Sequence, residues 1–104
     1  MTAPAGRLQG RRALITGSSS GIGRGVAIAF AAEGADVVIN YPDDSQAANA
    51  AVVVAEIEAL GRRAVAVQAG VASEADVAQL IDRAVQFAGG IDILVNNAGV
   101  AAAS

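Results

Sequence analysis

The chain has 104 residues with a formal net charge of −3, and 54% of them are hydrophobic against 16% charged. That length supports one small domain, and that apolar content excludes a disordered chain. There is no Cys, His or Lys, which excludes disulfides, a thiolate nucleophile, Cys metal clusters and the commonest general base and zinc ligand.

Residues 12–16 form a short apolar run entering a glycine-rich stretch, which predicts a first strand. Ile22, Val26, Ala27, Phe30 and Ala31 then recur at helical spacing, and Gly34 suits the position after the helix cap. Val37, Val38 and Ile39 are a β-branched triplet within a second strand that ends near Tyr41. Pro42, Asp43, Asp44 and Ser45 predict a turn that also offers N-caps. A second helix takes its apolar face from Ala47, Ala50, Ala51, Val54 and Ile57 and ends at Gly61. Residues 64–68 are a third strand. Ser73 caps a third helix, with Glu74 and Asp76 in its first turn where acidic groups suit the dipole. Val77, Leu80, Ile81, Ala84 and Val85 are its buried stripe, and Gly89 and Gly90 break it. Residues 91–96 are a fourth strand, whose Ile93, Leu94 and Val95 suit a sheet buried on both faces.

The order βαβαβαβ implies parallel pairing through right-handed crossovers. An all-helical bundle would have to absorb Val37-Val38-Ile39 and Ile93-Leu94-Val95 as helix. Polar or charged residues interrupt every apolar run, and residues 50–55 fall far short of the roughly 20 that a spanning helix needs. Residues 1–11 contain no signal-peptide core, so a cytoplasmic location with no membrane partner is expected. The seven basic residues are all Arg and scattered, apart from the pairs at 11–12 and 62–63, so no nucleic-acid partner is expected.

Thr16-Gly17-x-x-x-Gly21-x-Gly23 lies between a predicted strand and a predicted helix, the context that gives such spacing meaning. Glycines allow a tight turn and let a diphosphate approach the backbone without a Cβ in the way. Free N–H groups at the helix N-terminus then favour the negative charge. Ser18, Ser19 and Ser20 add hydroxyl donors. A Walker A loop needs a Lys, which the chain lacks, and the G-x-G-x-x-G fingerprint would need Gly where Val26 stands.

With these residues the chain resembles the short-chain dehydrogenase/reductase family over nearly its whole length. Leu8-Gln9-Gly10-Arg11 resembles that family's lead-in to the first strand. Residues 16–23 match its TGxxxGxG motif, and Asn96-Asn97-Ala98-Gly99 matches its NNAG motif. Residues 37–41 are similar to glucose dehydrogenases and 3-oxoacyl-[acyl-carrier-protein] reductases. The resemblance implies an α/β, Rossmann-type three-layer fold with a parallel sheet in the order 3-2-1-4, truncated after strand 4. Residues 1–104 would be an incomplete NAD(P)-binding half-domain. The cofactor, NAD or NADP, would lie across the C-terminal strand ends. Gly17, Ser19, Ser20, Gly21 and Ile22 would face the diphosphate and adenosine ribose, with Gly23 completing the motif. Asn40 and Tyr41 would border the site after strand two, and Gly70 and Val71 after strand three. Asn96, Ala98 and Gly99 would line the adenosine side, and Asn97 would tie the fourth strand to the turn. The family's activity is hydride transfer between nicotinamide and an alcohol or ketone, and its full-length members are expected to be homo-oligomers.

Three departures from the family pattern stand out. Gly70 takes the place of an Asp that usually accepts a hydrogen bond from the adenine amino group. Tyr41 and Pro42 stand where an Asp would select NAD or an Arg would favour NADP, and Ser20 where NADP-preferring relatives often carry Arg, so the choice is open. The family's catalytic Ser and Tyr-x-x-x-Lys lie beyond the NNAG segment, so no catalytic residue is assigned and this chain alone is expected to be inactive. A stand-alone nucleotide-binding module and a non-functional truncation are the alternatives. Strand four is expected to present an unpaired apolar edge.

Overall fold

The computed structural model describes residues 6–97, in which strands and helices alternate. The order is β1 (Arg12–Ile15), α1 (Gly21–Ala32), β2 (Asp36–Tyr41), a 3-10 turn (Asp44–Gln46), α2 (Ala47–Ala59), β3 (Ala64–Gln68), α3 (Glu74–Ala88) and β4 (Ile93–Val95). All pairings are parallel, and the sheet order is β3-β2-β1-β4, as expected. Leu14 sits between Val38 and Leu94, and Ile15 between Ile39 and Val95.

The pleat sorts the core into two layers. Ile15, Val37 and Ile39 face α1 and α2, where Ala27, Ala31, Ala50, Val53 and Ile57 meet them. Leu14, Val38 and Val67 face the other way, onto Leu80 and Ala84 of α3. Ala27 and Ala31 at the contact positions let α1 approach the sheet closely. Ser73 caps α3 as expected, its Oγ accepting from the Asp76 N–H at 3.1 Å.

The strand N-termini are fastened by charge. Asp92 accepts from the Arg12 backbone N–H at 2.9 Å and from its Nε and Nη2 at 3.0 and 3.2 Å. Asp36 accepts from Arg62 Nη2 at 2.6 Å. Both pairs lie at the end of the sheet opposite the glycine-rich turn, so they set strand register away from the site.

The structure corrects four expectations about the apolar faces. Ile22 is 73% exposed, because the first turn of α1 projects past the sheet before the helix crosses it. In α2 the inward positions are Ala50, Val53 and Ile57, whereas Ala51 is exposed. Val85 is exposed, since only Leu80 and Ala84 of α3 point squarely at the sheet. Leu94 is 53% exposed, so β4 is not buried on both faces. It shares a face with Leu14, but α3 packs on β1, β2 and β3. No helix among the described residues is long and apolar enough to cross a membrane.

Candidate functional site

The C-terminal ends of β1, β2 and β4 converge on the glycine-rich turn. Thr16 still belongs to the sheet, its N–H donating to the Val95 carbonyl at 3.0 Å. Gly17 then turns the chain with φ of +60°, a conformation that costs little only without a Cβ. Both peptide groups around its Cα are held. Its N–H donates to Asn40 Oδ1 at 3.1 Å, and its carbonyl accepts from Asn97 Nδ2 at 3.1 Å. Ser18 is fully buried, its hydroxyl donating to the Ile15 carbonyl at 2.7 Å and accepting from the Asn40 N–H at 3.0 Å. The expectation that Ser18 adds a donor for a ligand is therefore corrected: its proton is already committed to the backbone. Ser19 is also buried, and its hydroxyl donates to Gln46 Oε1 at 3.2 Å.

Beyond the serines the chain opens outward. Ser20 is the N-cap of α1 with extended backbone, yet its side chain makes no capping bond, and the first turn carries no acidic residue. The first amides of the helix therefore keep their hydrogen-bonding capacity, and the dipole adds partial positive charge there. Gly21 has open space where a Cβ would stand, and Ile22 is exposed beside it. Gly23 is the opposite case. It is buried against the turn, and a Cβ there would lie 2.6 Å from Asn97 Nδ2 and inside contact distance of the Gly17 carbonyl oxygen. An exposed helix start beside a rigid turn suits an anion, and a diphosphate above all.

The flanks complete the cleft. Tyr41 is half-buried against the α1–α2 core, and its carbonyl accepts from the Ala69 N–H at 3.0 Å. Asp43 caps the 3-10 turn, its carboxylate accepting from the Ser45 N–H at 2.9 Å and also from the Ser45 hydroxyl. Gly70 is exposed after β3, and a Cβ there would lie 3.2 Å from Asp76 Oδ2. Val71 and Asn96 line one cavity of about 100 Å³ with Thr16, Val77 and Leu94. An apolar groove of about 460 Å³ continues from it along α3, past Val77, Ala78 and Ile81. Arg24 in α1 is paired with Glu56 at 2.7 Å, and that hydrogen bond holds its guanidinium above its ordinary pKa.

Gly17, Ser18, Gly23, Asn40 and Asn97 are thus joined in one hydrogen-bonded and packed unit, and Ser19 is buried beside it on Gln46. Ser20, Gly21 and Ile22 form its exposed rim. Gly70, Val71 and Asn96 sit across the strand ends, and Ala98 and Gly99 lie outside the described residues. Gln46 is a participant that sequence reasoning missed. Nothing in its surroundings marks it, because its contact with Ser19 spans 27 positions.

Comparison with known proteins follows this geometry closely. A family model described as short chain dehydrogenase matches residues 11–104. A 3-oxoacyl-[acyl-carrier-protein] reductase of Synechocystis sp. is 53% identical over 88 residues, covering 85% of this chain and 35% of the reductase. An L-rhamnose 1-dehydrogenase (NAD(P)(+)) of Sphingomonas sp. is 46% identical over 93 residues, covering 89% of this chain and 36% of the dehydrogenase. Among solved structures, a short chain dehydrogenase from Burkholderia cenocepacia J2315 in complex with NADP aligns with a TM-score of 0.81 at 54% identity. The alignment covers 86% of this chain and 36% of that one. The chain spans about a third of the length of the curated relatives it matches.

Proposed function

Because the chain belongs to the short-chain dehydrogenase family, we propose that it supplies the dinucleotide-holding part of an oxidoreductase that moves hydride between a nicotinamide and an alcohol or ketone. One observation carries this reading. The turn at Gly17 is pinned from two strands while the start of α1 is left without a side-chain cap. That is a rigid cradle whose donors are free for a ligand.

In this reading the diphosphate lies on the rim formed by Ser20, Gly21 and Ile22. Gly17 and Gly23 keep the backbone close, and Ser19 holds the loop through Gln46. Tyr41 borders the adenosine ribose. The adenine enters the cavity between Val71 and Asn96, with Gly70 at its edge. Either NAD or NADP fits this scheme, because Asp43 is occupied by Ser45 and Arg24 by Glu56. Neither a carboxylate nor a cation is thereby committed to the ribose 2′ position. This reading assigns no proton-transfer residue among those described and gives the chain cofactor binding alone. Its partners in this reading are the dinucleotide and a small substrate.

Calorimetric titration of the chain with NADH and with NADPH tests the reading. Saturable binding of either is the expected result. No detectable heat at millimolar concentration of both would overturn it.

A further inference from the structure

Asn40 is the most heavily bonded polar residue of the described chain. It is 2% exposed. The strand alternation puts it on the α3 face of β2, the face of Val38. Its Oδ1 accepts from the Gly17 N–H at 3.1 Å. Its Nδ2 donates to the carbonyls of Val67 at 3.2 Å and Ala69 at 3.1 Å. Its backbone exchanges two bonds with Ser18, one from the Ser18 N–H at 2.9 Å and one to the Ser18 hydroxyl at 3.0 Å. The amide cannot be flipped, because that would set its NH₂ against an N–H and its oxygen against two carbonyls.

These bonds reach in two directions. Toward β1 they fix the turn that would hold the diphosphate. Toward β3 they fix Ala69, the residue just before Gly70 and Val71. Both N–H bonds of the side chain and one lone pair of its oxygen are spent inside the protein, and at 2% exposure it presents no group to a ligand.

We propose that Asn40 is a positioning residue that touches no cofactor and sets the spacing between the diphosphate turn and the adenine-side segment after β3. This rests on the dinucleotide reading above. An apolar side chain of the same size would fill the space, but it would leave Gly17 N–H and the Ala69 carbonyl to find other partners. The turn and the segment after β3 would then move independently, and a ligand spanning both would have to order them on binding.

The test compares Asn40→Leu with Ile57→Val in the full chain. Ile57 is buried at the far end of α2, so its substitution lowers the thermal midpoint without touching the turn. Dissociation constants for NADH and NADPH are measured at a temperature where circular dichroism shows both variants folded. Asn40→Leu is expected to weaken binding about tenfold or more, and Ile57→Val to leave it within about twofold. Equal weakening by both, or none by Asn40→Leu, would overturn the positioning role. If Asn40→Leu does not fold, amide exchange in the unsubstituted chain decides instead. A Gly17 amide protected far above that of exposed Ser20 supports the proposal, and one exchanging equally fast overturns it. If the unsubstituted chain binds neither dinucleotide, the reading on which the proposal rests falls, and the proposal falls with it.

Discussion

Gly23 and Asn97 occupy one another's space: a Cβ on Gly23 would lie 2.6 Å from the Asn97 nitrogen that holds the Gly17 carbonyl. The helix can approach the turn only because residue 23 has no side chain, and Asn97 reaches the turn only through the gap so left. Sequence spacing alone presents Gly23 as the residue that completes the cofactor motif. The structure shows that its first duty is packing.

Gly23→Ala should therefore destabilise the chain. Forcing a methyl into a packed site costs about 1–3 kcal/mol, against roughly 1 kcal/mol gained from better helix propensity. The clash wins because Gly17 is held at both of its peptide groups, and a net loss of up to about 2 kcal/mol is expected. Urea midpoints of Gly23→Ala, Asn97→Ala and the double variant check this. The double variant should be less unstable than the two single losses added together, by about 0.5 kcal/mol or more, since removing Asn97 relieves part of the clash. Strict additivity would contradict the account.

Acid should weaken the fold through Asp92. Its carboxyl pKa lies below the ordinary value near 3.8, first because the Arg12 side chain donates to it and then because the Arg12 backbone N–H does. A depressed folded-state pKa means that the stabilising effect is present above the ordinary carboxylate value and is lost as pH falls through the folded one. The pair is open to solvent, so the effect is small and salt-sensitive. Thermal midpoints of the unsubstituted chain and Asp92→Asn should differ most near neutral pH and converge as pH falls below the ordinary carboxylate value of about 3.9. A difference that never narrows on acidification would show that Asp92 acts through something other than its charge.

Much of this architecture was legible in the sequence, and the misses share a cause. Val37, Val38 and Ile39 read as a buried strand because β-branched residues between turn signals have few other uses. The glycine spacing placed the turn because glycine alone tolerates Gly17's backbone angle and Gly23's contact. The α2 face was misread because an alanine-rich helix offers little contrast: Ala51 and Val53 differ in burial for reasons set by the sheet below them. Leu94 was misjudged because its exposure depends on where α3 lies, which its neighbours in sequence do not encode. Asn40 was legible only as a residue bordering the cofactor site after strand two. Its partners, Gly17, Val67 and Ala69, come from 23 to 29 positions away and meet it only through the parallel pairing.

Ile22 offers a clean separation of binding from folding. At 73% exposure it contributes little to the core, so Ile22→Ser should leave stability within about 0.5 kcal/mol. If a dinucleotide covers the rim, the same substitution removes apolar area buried on binding. A loss of about 1 kcal/mol, or roughly fivefold in dissociation constant, is expected by calorimetry. An unchanged constant would place the ligand away from the start of α1.

Gly70→Asp tests the adenine side, and two effects compete there. A carboxylate at this position would resemble the family's usual acceptor for the adenine amino group and should tighten dinucleotide binding by about the worth of one hydrogen bond, on the order of 1 kcal/mol. Yet its Cβ would stand 3.2 Å from Asp76 Oδ2, so the new carboxylate would meet an existing one. Like charges at that range raise the pKa of the introduced group in the folded chain. Its penalty is then absent below the ordinary Asp value of about 3.9 and grows as pH rises above it. Gly70→Asp should lose stability relative to Gly70→Asn as pH goes from about 4 to 7, and added cofactor should recover part of that loss. Thermal melts of both variants with and without NADPH measure the two effects in one series. Matching pH profiles for the two variants would mean that Asp76 turns away and leaves position 70 free to receive an acidic side chain.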